Sequence, residues 1–286
     1  MKKFLALFFA LVLVLSLVAC GGGNEEKESG TKAPAASESE TEPNTEGNGS
    51  ESETTDQGGE SESNTQGGES ESETGGDVVV PDAAMTYDEY VAAEIEEAVL
   101  VEAYVQATQS WWDNKITVYL QDRDGAYFVY EMACTEEDAA KLVPGTKIRV
   151  SGYKAEWAGE IEIVDATFTF VEDSDTYSAE PIDLTAILGN ADELVKYQNQ
   201  LAIFKGLEIA AIEYKNGEPG DDIYVTVKQG ENSFSFCVER YLTGPETDVY
   251  KAFADLKAGD KVNVTGFVYW YNGVNTHITA IEVVAE

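Results

Sequence analysis

Short runs in which apolar and polar residues alternate dominate the chain from residue 99 to residue 284. They are rich in valine, isoleucine, tyrosine and phenylalanine and are separated by glycine, asparagine and aspartate. This period of two predicts β-strands that bury one face. The predicted strands are Val99–Thr108, Ile116–Asp122, Ala126–Met132, a strand after Gly145, Glu160–Phe170, Leu201–Glu213, Ile223–Gln229, Ser233–Glu239, a strand after Gly259, and Thr276–Val284.

One motif occurs twice, at residues 142–153 and again at 256–267. Both copies read L-x-x-G-x-K-[IV]-x-V-[ST]-G-[YF]. The first glycine predicts a turn, and the alternating aliphatic residues predict the strand that follows it. A short helix is predicted before each copy, because Thr135 and Thr247 are suited to N-capping and acidic residues follow each of them. The repetition indicates two similar domains.

Each copy has the same order of predicted elements: three strands, a helix and two strands. This order resembles that of OB-fold proteins, in which a five-stranded Greek-key barrel carries a helix between strands 3 and 4. The resemblance covers residues 99–172 and 201–285. We therefore predict a mainly β chain with two tandem five-stranded OB-fold-like barrels and short helices.

Two further helices are predicted outside the barrels by N-terminal capping patterns. Thr86 with Glu89 forms one pattern, for a helix through about Glu97, and Asn190 with Glu193 forms the other, for a helix through about Tyr197. Each would precede one barrel. The first domain is accordingly assigned to residues 83–175 and the second to residues 180–286.

The first twenty residues have the composition of a targeting segment. Lys2 and Lys3 precede an uncharged apolar run that ends in Leu17-Val18-Ala19-Cys20. The run, from residue 4 to residue 17, is shorter than the roughly 20 residues of a spanning helix, which argues against a transmembrane anchor. The segment resembles the signal peptide of bacterial lipoproteins, whose lipobox ends in the modified cysteine. The resemblance implies cleavage before Cys20 and a diacylglycerol on its sulfur, and therefore an anchored protein outside the cytoplasm.

Residues 21–82 are predicted to be a disordered acidic linker. The segment 21–77 is made almost wholly of Gly, Ser, Glu, Thr and Asn, with sixteen acidic and two basic residues and no aromatic residue. Such a composition offers too little apolar surface to form a core. The architecture of signal, linker and domains is similar to that of uncharacterised OB-domain lipoproteins of gut Clostridia, which implies a Gram-positive cell surface but no activity.

The chain has 54 acidic against 18 basic residues, a formal net charge of −36. A nucleic acid must be neutralised by clustered lysine and arginine, so this balance argues against a nucleic-acid partner. No cofactor is implied by any motif. The partners expected are the membrane, through lipidated Cys20, and a carbohydrate or protein ligand.

Aromatic residues are concentrated in the loops that join strands 1 to 2 and 4 to 5, which meet at the ligand-binding rim of OB-folds. Adjacent Trp111 and Trp112 cannot both point inward from a strand. Aromatic faces beside Asp and Asn side chains suit the stacking of sugar rings or a protein contact. The alternative is that the rings plug the barrel ends or seal an interface between domains. The candidate ligand-binding residues are Trp111, Trp112, Asp113, Asn114, Trp157, Tyr214, Tyr269 and Tyr271.

No catalytic motif or metal site is predicted. His277 lies in a predicted strand and is interpreted as an ordinary surface or hydrogen-bonded residue, and Cys134 and Cys237 are interpreted as buried free thiols rather than a disulfide. The segment 122–125 resembles a fragment of a calcium loop but lacks the later ligands, which favours a hairpin turn.

The sequence favours a surface-anchored, non-catalytic binding lipoprotein. One alternative is an extracytoplasmic hydrolase of wall or sugar polymers, with Glu160 and Glu162 as candidate carboxylates, although two acids on one surface strand arise by chance in so acidic a chain. Another alternative is a passive spacer.

Overall fold

The computed structural model describes residues 81–284. The predicted signal peptide, Cys20 and the linker up to residue 80 lie outside this range. The described elements are α1 Tyr87–Ala92, β1 Ala98–Thr108, β2 Lys115–Gln121, β3 Ala126–Ala133, α2 Glu136–Ala139, β4 Lys147–Trp157, β5 Glu160–Phe170, β6 Ile182–Asp183, a 3₁₀ turn at Thr185–Ile187, α3 Ala191–Leu194, a 3₁₀ turn at Val195–Tyr197, β7 Leu201–Tyr214, β8 Ile223–Gln229, β9 Asn232–Val238, α4 Asp248–Ala252, β10 Lys261–Phe267 and β11 His277–Val283.

The first five strands form a closed barrel, called here the first barrel. Its strand order is β1-β2-β3-β5-β4, and β4 pairs with β1 to close it. The pairs are antiparallel except for the short parallel contact between β3 and β5. Short helix α2 lies between β3 and β4 in the chain, which is the OB-fold order.

The remaining strands form a second sheet of the same order, called here the second ring. Strands β7, β8, β9, β11 and β10 follow one another, and β10 pairs again with β7 to close the ring. Strand β6 adds a short parallel edge to β7. The predicted mainly β, OB-like architecture is therefore confirmed, but the two-residue strand β6 was not predicted, because two residues show no period.

The repeated motif has the same structural function in both copies. Gly145 and Gly259 have φ of 91° and 95°, the left-handed conformation that glycine adopts readily. Gly152 and Gly266 lie at irregularities in the pairing of β4 with β5 and of β10 with β11. A Cβ there would lie 2.7 Å from a methyl group of Ile163, or 2.2 Å from the His277 carbonyl oxygen, so the second glycine permits close strand contact.

The capping predictions hold at all four helix starts. Thr86, Thr135, Asn190 and Thr247 each accept a hydrogen bond from the backbone N–H three residues on, and Thr86 with Glu89 forms the full capping box.

Helix α1 ends at Ala92 rather than near Glu97, which corrects the predicted length. The ammonium of buried Lys154 on β4 donates to the carbonyls of Tyr90, Val91 and Ala93 at 3.0, 2.8 and 2.7 Å. These bonds satisfy the last carbonyls of the helix from outside, and the chain turns extended at Ala93.

Each half of the described chain has its own hydrophobic core. One core lies inside the first barrel, and the other lies inside the second ring. A third, smaller cluster consists of Tyr119, Phe128 and Phe267 and joins the two halves. The segment that leaves β5 packs back on β1, where Gln106 bonds the backbone of Tyr177 and Ala179. The domain limits at residues 83–175 and 180–286 stay a prediction.

Other local predictions are confirmed. Cys134 and Cys237 are buried and free. Asp122 accepts hydrogen bonds from the N–H groups of Asp124 and Gly125 at 2.8 Å each, which makes the segment a turn between β2 and β3. Among residues 81–284, no helix is long and apolar enough to cross a membrane.

Candidate functional site

The β4–β5 turn of the first barrel lies against the β10–β11 turn of the second ring. The N–H of Asn272 donates to the carbonyl of Ala158 at 2.7 Å, and the N–H of Trp270 donates to the carboxyl of Glu160 at 2.7 Å. Gln198, before β7, donates to Glu160 and to the carbonyl of Gly159. These contacts fix the two halves of the described chain beside one another.

Aromatic rings extend this contact. Tyr119 stacks on Phe267 with ring centroids 4.4 Å apart, and Phe128 contacts Tyr269 edge-on at 5.2 Å. Tyr269 stacks on His277 at 4.1 Å. Tyr269, a candidate ligand residue, therefore also seals the interface, as the alternative interpretation of the rings states.

A cleft of about 530 Å³ opens along this interface. Its volume lies within the range of small-molecule sites. Residues of both halves line it: Gln109, Trp112, Thr117, Phe128, Tyr130, Glu131, Trp157, Glu162, Glu239, Tyr241, Tyr269 and His277.

Trp112 reaches the cleft because a tight turn follows it. Trp112 and Lys115 exchange two backbone hydrogen bonds of 3.1 and 2.9 Å across Asp113 and Asn114. Asp113 and Asn114 have φ of 46° and 59°, as a type I′ hairpin turn requires. These two residues therefore position Trp112, and neither lines the cleft itself.

The most accessible rings of the cleft are tryptophans. Trp112 is 53% exposed and Trp157, the last residue of β4, is 58% exposed. Tyr130 and Tyr241 are also exposed. Neither tyrosine was among the candidate residues, since Tyr130 lies within a predicted strand and Tyr241 follows one. The signal available was a large aromatic side chain at an outward-facing strand position.

Three candidate residues lie away from the cleft. Trp111 packs on the core of the first barrel and donates from its indole to the carbonyl of Cys134 at 2.8 Å. Tyr214 ends β7 rather than lying in a loop, and it packs beside Tyr250. Tyr271 is exposed on the β10–β11 turn, outside the lining of the cleft.

Glu162 and Glu239 are the unusual polar groups of the cleft wall. Burial raises the pKa of each carboxyl to about 7. Glu239 accepts hydrogen bonds from the N–H groups of Tyr241 and Leu242. Glu162 is 8% exposed, and its side chain has no hydrogen-bond partner among residues 81–284. Glu131, the third acid of the wall, forms an ion pair of 2.7 Å with Lys115.

Glu160 and Glu162 do not lie on a surface strand, which corrects that expectation. Glu160 is fully buried and outside the cleft lining, with one oxygen bonded to Trp270 and Gln198 and the other without a partner among the described residues. Burial raises its pKa well above the usual range. Only Glu162 of this pair reaches the cleft.

His277 is buried at the base of the cleft. Its Nδ1 lies 2.6 Å from the phenol oxygen of Tyr119, and burial lowers its pKa to about 3. A neutral, hydrogen-bonded ring fits the interpretation of His277 as a satisfied residue. Within the described range, no three metal-ligating side chains lie close enough to hold an ion.

Comparisons with known proteins give the fold alone. No protein-family model and no curated protein matches the chain. An OBody bound to hen egg-white lysozyme is 24% identical, over 30% of this chain and 81% of that chain, with a TM-score of 0.25. A murine DNA-binding protein bound to double-stranded DNA is 12% identical, over 65% of this chain and 96% of that chain, with a TM-score of 0.33. A replication protein A heterotrimer bound to single-stranded DNA is 13% identical, over 66% of this chain and 49% of that chain, with a TM-score of 0.25.

Proposed function

We propose that this protein is a lipid-anchored, extracytoplasmic binding protein whose cleft between the first barrel and the second ring holds a carbohydrate. The observation that carries the proposal is the pair of exposed indoles, Trp112 and Trp157, on the wall of one cleft. Exposed tryptophans on rigid strands and tight turns provide flat apolar surfaces at low entropic cost. Polar groups beside them, such as Gln109 and Glu162, are placed to bond sugar hydroxyls.

The acidic balance of the chain supports a ligand other than nucleic acid. No lysine or arginine lines the cleft. The backbone of a nucleic acid would meet Glu162 and Glu239, which have no ion pair among residues 81–284, and the net charge of −36 would repel it at longer range.

Binding to a glycan array tests the ligand class. The array would be probed with the full-length protein, with its Trp112→Ala and Trp157→Ala variants and with Tyr224→Ala, which removes an exposed ring at the start of β8, outside the cleft lining, as a control. We expect each tryptophan variant to lose at least tenfold in affinity for any glycan bound, and the control to lose none. Equal binding by all four proteins, or binding to no glycan, would contradict the proposal.

The anchoring half of the proposal rests on Leu17-Val18-Ala19-Cys20. Replacing Cys20 with Ala should release the full-length protein from the membrane fraction of its host, since the acyl chains would be absent. A Ser replacement at Cys134, which lies outside the lipobox, is the control and should stay with the membrane. Retention of the Cys20→Ala protein after a carbonate wash would contradict lipidation.

A hydrolase remains the second candidate, and Glu162 with Glu239 rather than Glu160 would be its acids. Carboxyls with raised pKa on a cleft wall are typical of general acids. Incubation of any bound oligosaccharide with the wild-type protein, followed by product analysis, separates the two functions. Cleavage that is lost in Glu162→Gln would establish catalysis, and an intact oligosaccharide would support binding alone.

A further inference from the structure

We propose that the cleft selects carbohydrates that carry a positively charged amino group. The inference rests on the proposed carbohydrate function and names the chemistry of its ligand. Its starting point is Glu162 on β5, a residue that lines the cleft and is 8% exposed.

A buried carboxyl is costly unless a hydrogen bond or a cation compensates its charge. Glu162 has neither among residues 81–284: its carboxyl has no hydrogen-bond partner and no ion pair there. By contrast, Glu131 has Lys115, and Glu239 has two backbone N–H groups. A ligand that brings an ammonium group to Glu162 would supply the missing partner.

The aromatic rings that line the cleft with Glu162 also favour a positively charged group. Trp112, Trp157, Tyr130 and Tyr269 line the cleft together with the three glutamates. The face of an aromatic ring attracts a cation, and this attraction strengthens where water is partly excluded. Carboxylates and ring faces in one cleft therefore favour an ammonium group over an acetamide or a hydroxyl.

Two basic side chains of the protein contact groups of the cleft wall, but neither forms an ion pair with Glu162 among residues 81–284. Lys115 forms an ion pair with Glu131 and lies 5.8 Å from the centroid of the Trp112 ring. Arg240 lies over the ring of Tyr241 and 3.9 Å from Asp221. His277 stays neutral because burial lowers its pKa. Burial raises the pKa of Glu162 and of Glu239 because it destabilises their charged forms, and a bound cation would stabilise those charged forms.

Two tetrasaccharides that differ only in the amine test the inference. One is β-1,4-linked glucosamine with free amino groups, and the other is its N-acetylated form. Calorimetry at pH 6 and 150 mM salt would measure both against the full-length protein. We expect the free amine to bind at least tenfold more tightly.

General attraction between a cation and an acidic protein has to be excluded by matched charge changes. Glu162→Gln should abolish the preference for the amine, whereas Glu213→Gln, which removes the same charge from an exposed position of β7, should leave it intact. An equal loss in both variants would overturn the inference, because the attraction would then be non-specific.

The other outcomes separate the two proposals. Equal or tighter binding of the acetylated sugar, sensitive to Trp112→Ala, would overturn the amine preference and leave the carbohydrate function standing. Binding of neither tetrasaccharide, with no binding on the glycan array, would overturn both.

Discussion

The phenol oxygen of Tyr119 on β2 lies 2.6 Å from Nδ1 of His277 on β11, so one hydrogen bond joins the first barrel to the second ring. Gln109 donates to the same phenol oxygen at 3.2 Å, which leaves the phenolic proton for the imidazole. Tyr119 and His277 are both buried. Of the pair, only His277 lines the cleft, so this hydrogen bond links one residue of the cleft wall to the contact between the two halves.

Removing the phenol should destabilise this contact. Tyr119→Phe leaves the imidazole Nδ1 without a donor, at an expected cost of about 1 to 3 kcal/mol in the free energy of unfolding. The pKa of His277 should also rise, because the lost bond stabilises the neutral ring. His277 is the chain's one histidine, so its NMR titration is unambiguous.

The control for this change is Tyr224→Phe on β8, which alters an exposed phenol. It should leave the free energy of unfolding and the pKa of His277 unchanged. An unchanged His277 titration in Tyr119→Phe would show that the bond has no part in holding the ring neutral. In the wild-type protein the lowered pKa predicts that stability falls as the pH drops from 6.5 toward 3, since the unfolded chain then binds the proton more readily.

The adjacent tryptophans should differ sharply in their effect on stability. Trp111→Ala removes a ring that packs on the core and an indole hydrogen bond. It should lower the free energy of unfolding by about 3 kcal/mol. Trp112→Ala removes an exposed ring and should change the free energy of unfolding by no more than about 0.5 kcal/mol. Urea unfolding of the two variants measures this, and similar midpoints would contradict the assignment of one ring to the core and the other to the cleft.

Glu162 should make the folded state less stable as the pH rises. Its folded pKa of about 7 lies above the usual 4.5, so the folded protein holds the proton more tightly and stability is lost as the pH rises through this interval. The Glu162→Gln variant lacks this loss. The free energy of unfolding of the variant, relative to that of the wild type, should therefore rise by on the order of 3 kcal/mol from pH 5 to pH 8.

Urea unfolding at the two pH values measures this gain. The Glu213→Gln variant serves as the control and should follow the wild type at both, because Glu213 is exposed. A gain in Glu162→Gln that does not depend on pH would contradict the raised pKa.

The contact between the two turns can be tested at Gly159. Its φ is 91°, and an added Cβ would lie 2.7 Å from Trp270. Gly217 has φ of 79° and open space around its Cβ position, so Gly217→Ala carries the backbone strain without the clash. Gly159→Ala should therefore cost about 1 to 3 kcal/mol more than Gly217→Ala in urea unfolding. An equal loss of unfolding free energy in the two variants would mean that Trp270 does not pack closely against the turn.

Lys154 should hold helix α1 against the first barrel. Lys154→Met keeps the length of the side chain but removes the donor to three carbonyls, at an expected cost on the order of 3 kcal/mol. Amide exchange should quicken over Tyr87–Ala92 before it does in β4. Lys141→Met, which breaks exposed ion pairs only, should cost less than about 1 kcal/mol. Unchanged exchange in α1 would refute the capping function of Lys154.

Local sequence patterns were sufficient to predict most strands and the starts of the four helices. Strand alternation, the N-cap threonines and the repeated glycines depend on near neighbours along the chain, and each reappears in the structure close to its expected position. The repeat with a glycine at each bulge was enough to indicate two similar OB-like halves. The end of α1 was missed, because the side chain that stops it comes from Lys154, far along the chain.

Which of the aromatic residues share the cleft depends on packing between separate segments of the chain. Trp112, Tyr130, Trp157 and Glu162 all belong to the first barrel, whose strand pairing brings them together. Tyr241 belongs to the second half and joins them because the two halves dock through the turns beside Gly159 and Asn272. The same docking places Tyr269 in an interface, and Tyr214 is held at the end of β7 against the core. Local patterns predict a side chain's element and face, but burial, pKa and neighbours across an interface depend on packing between residues that the sequence does not place together.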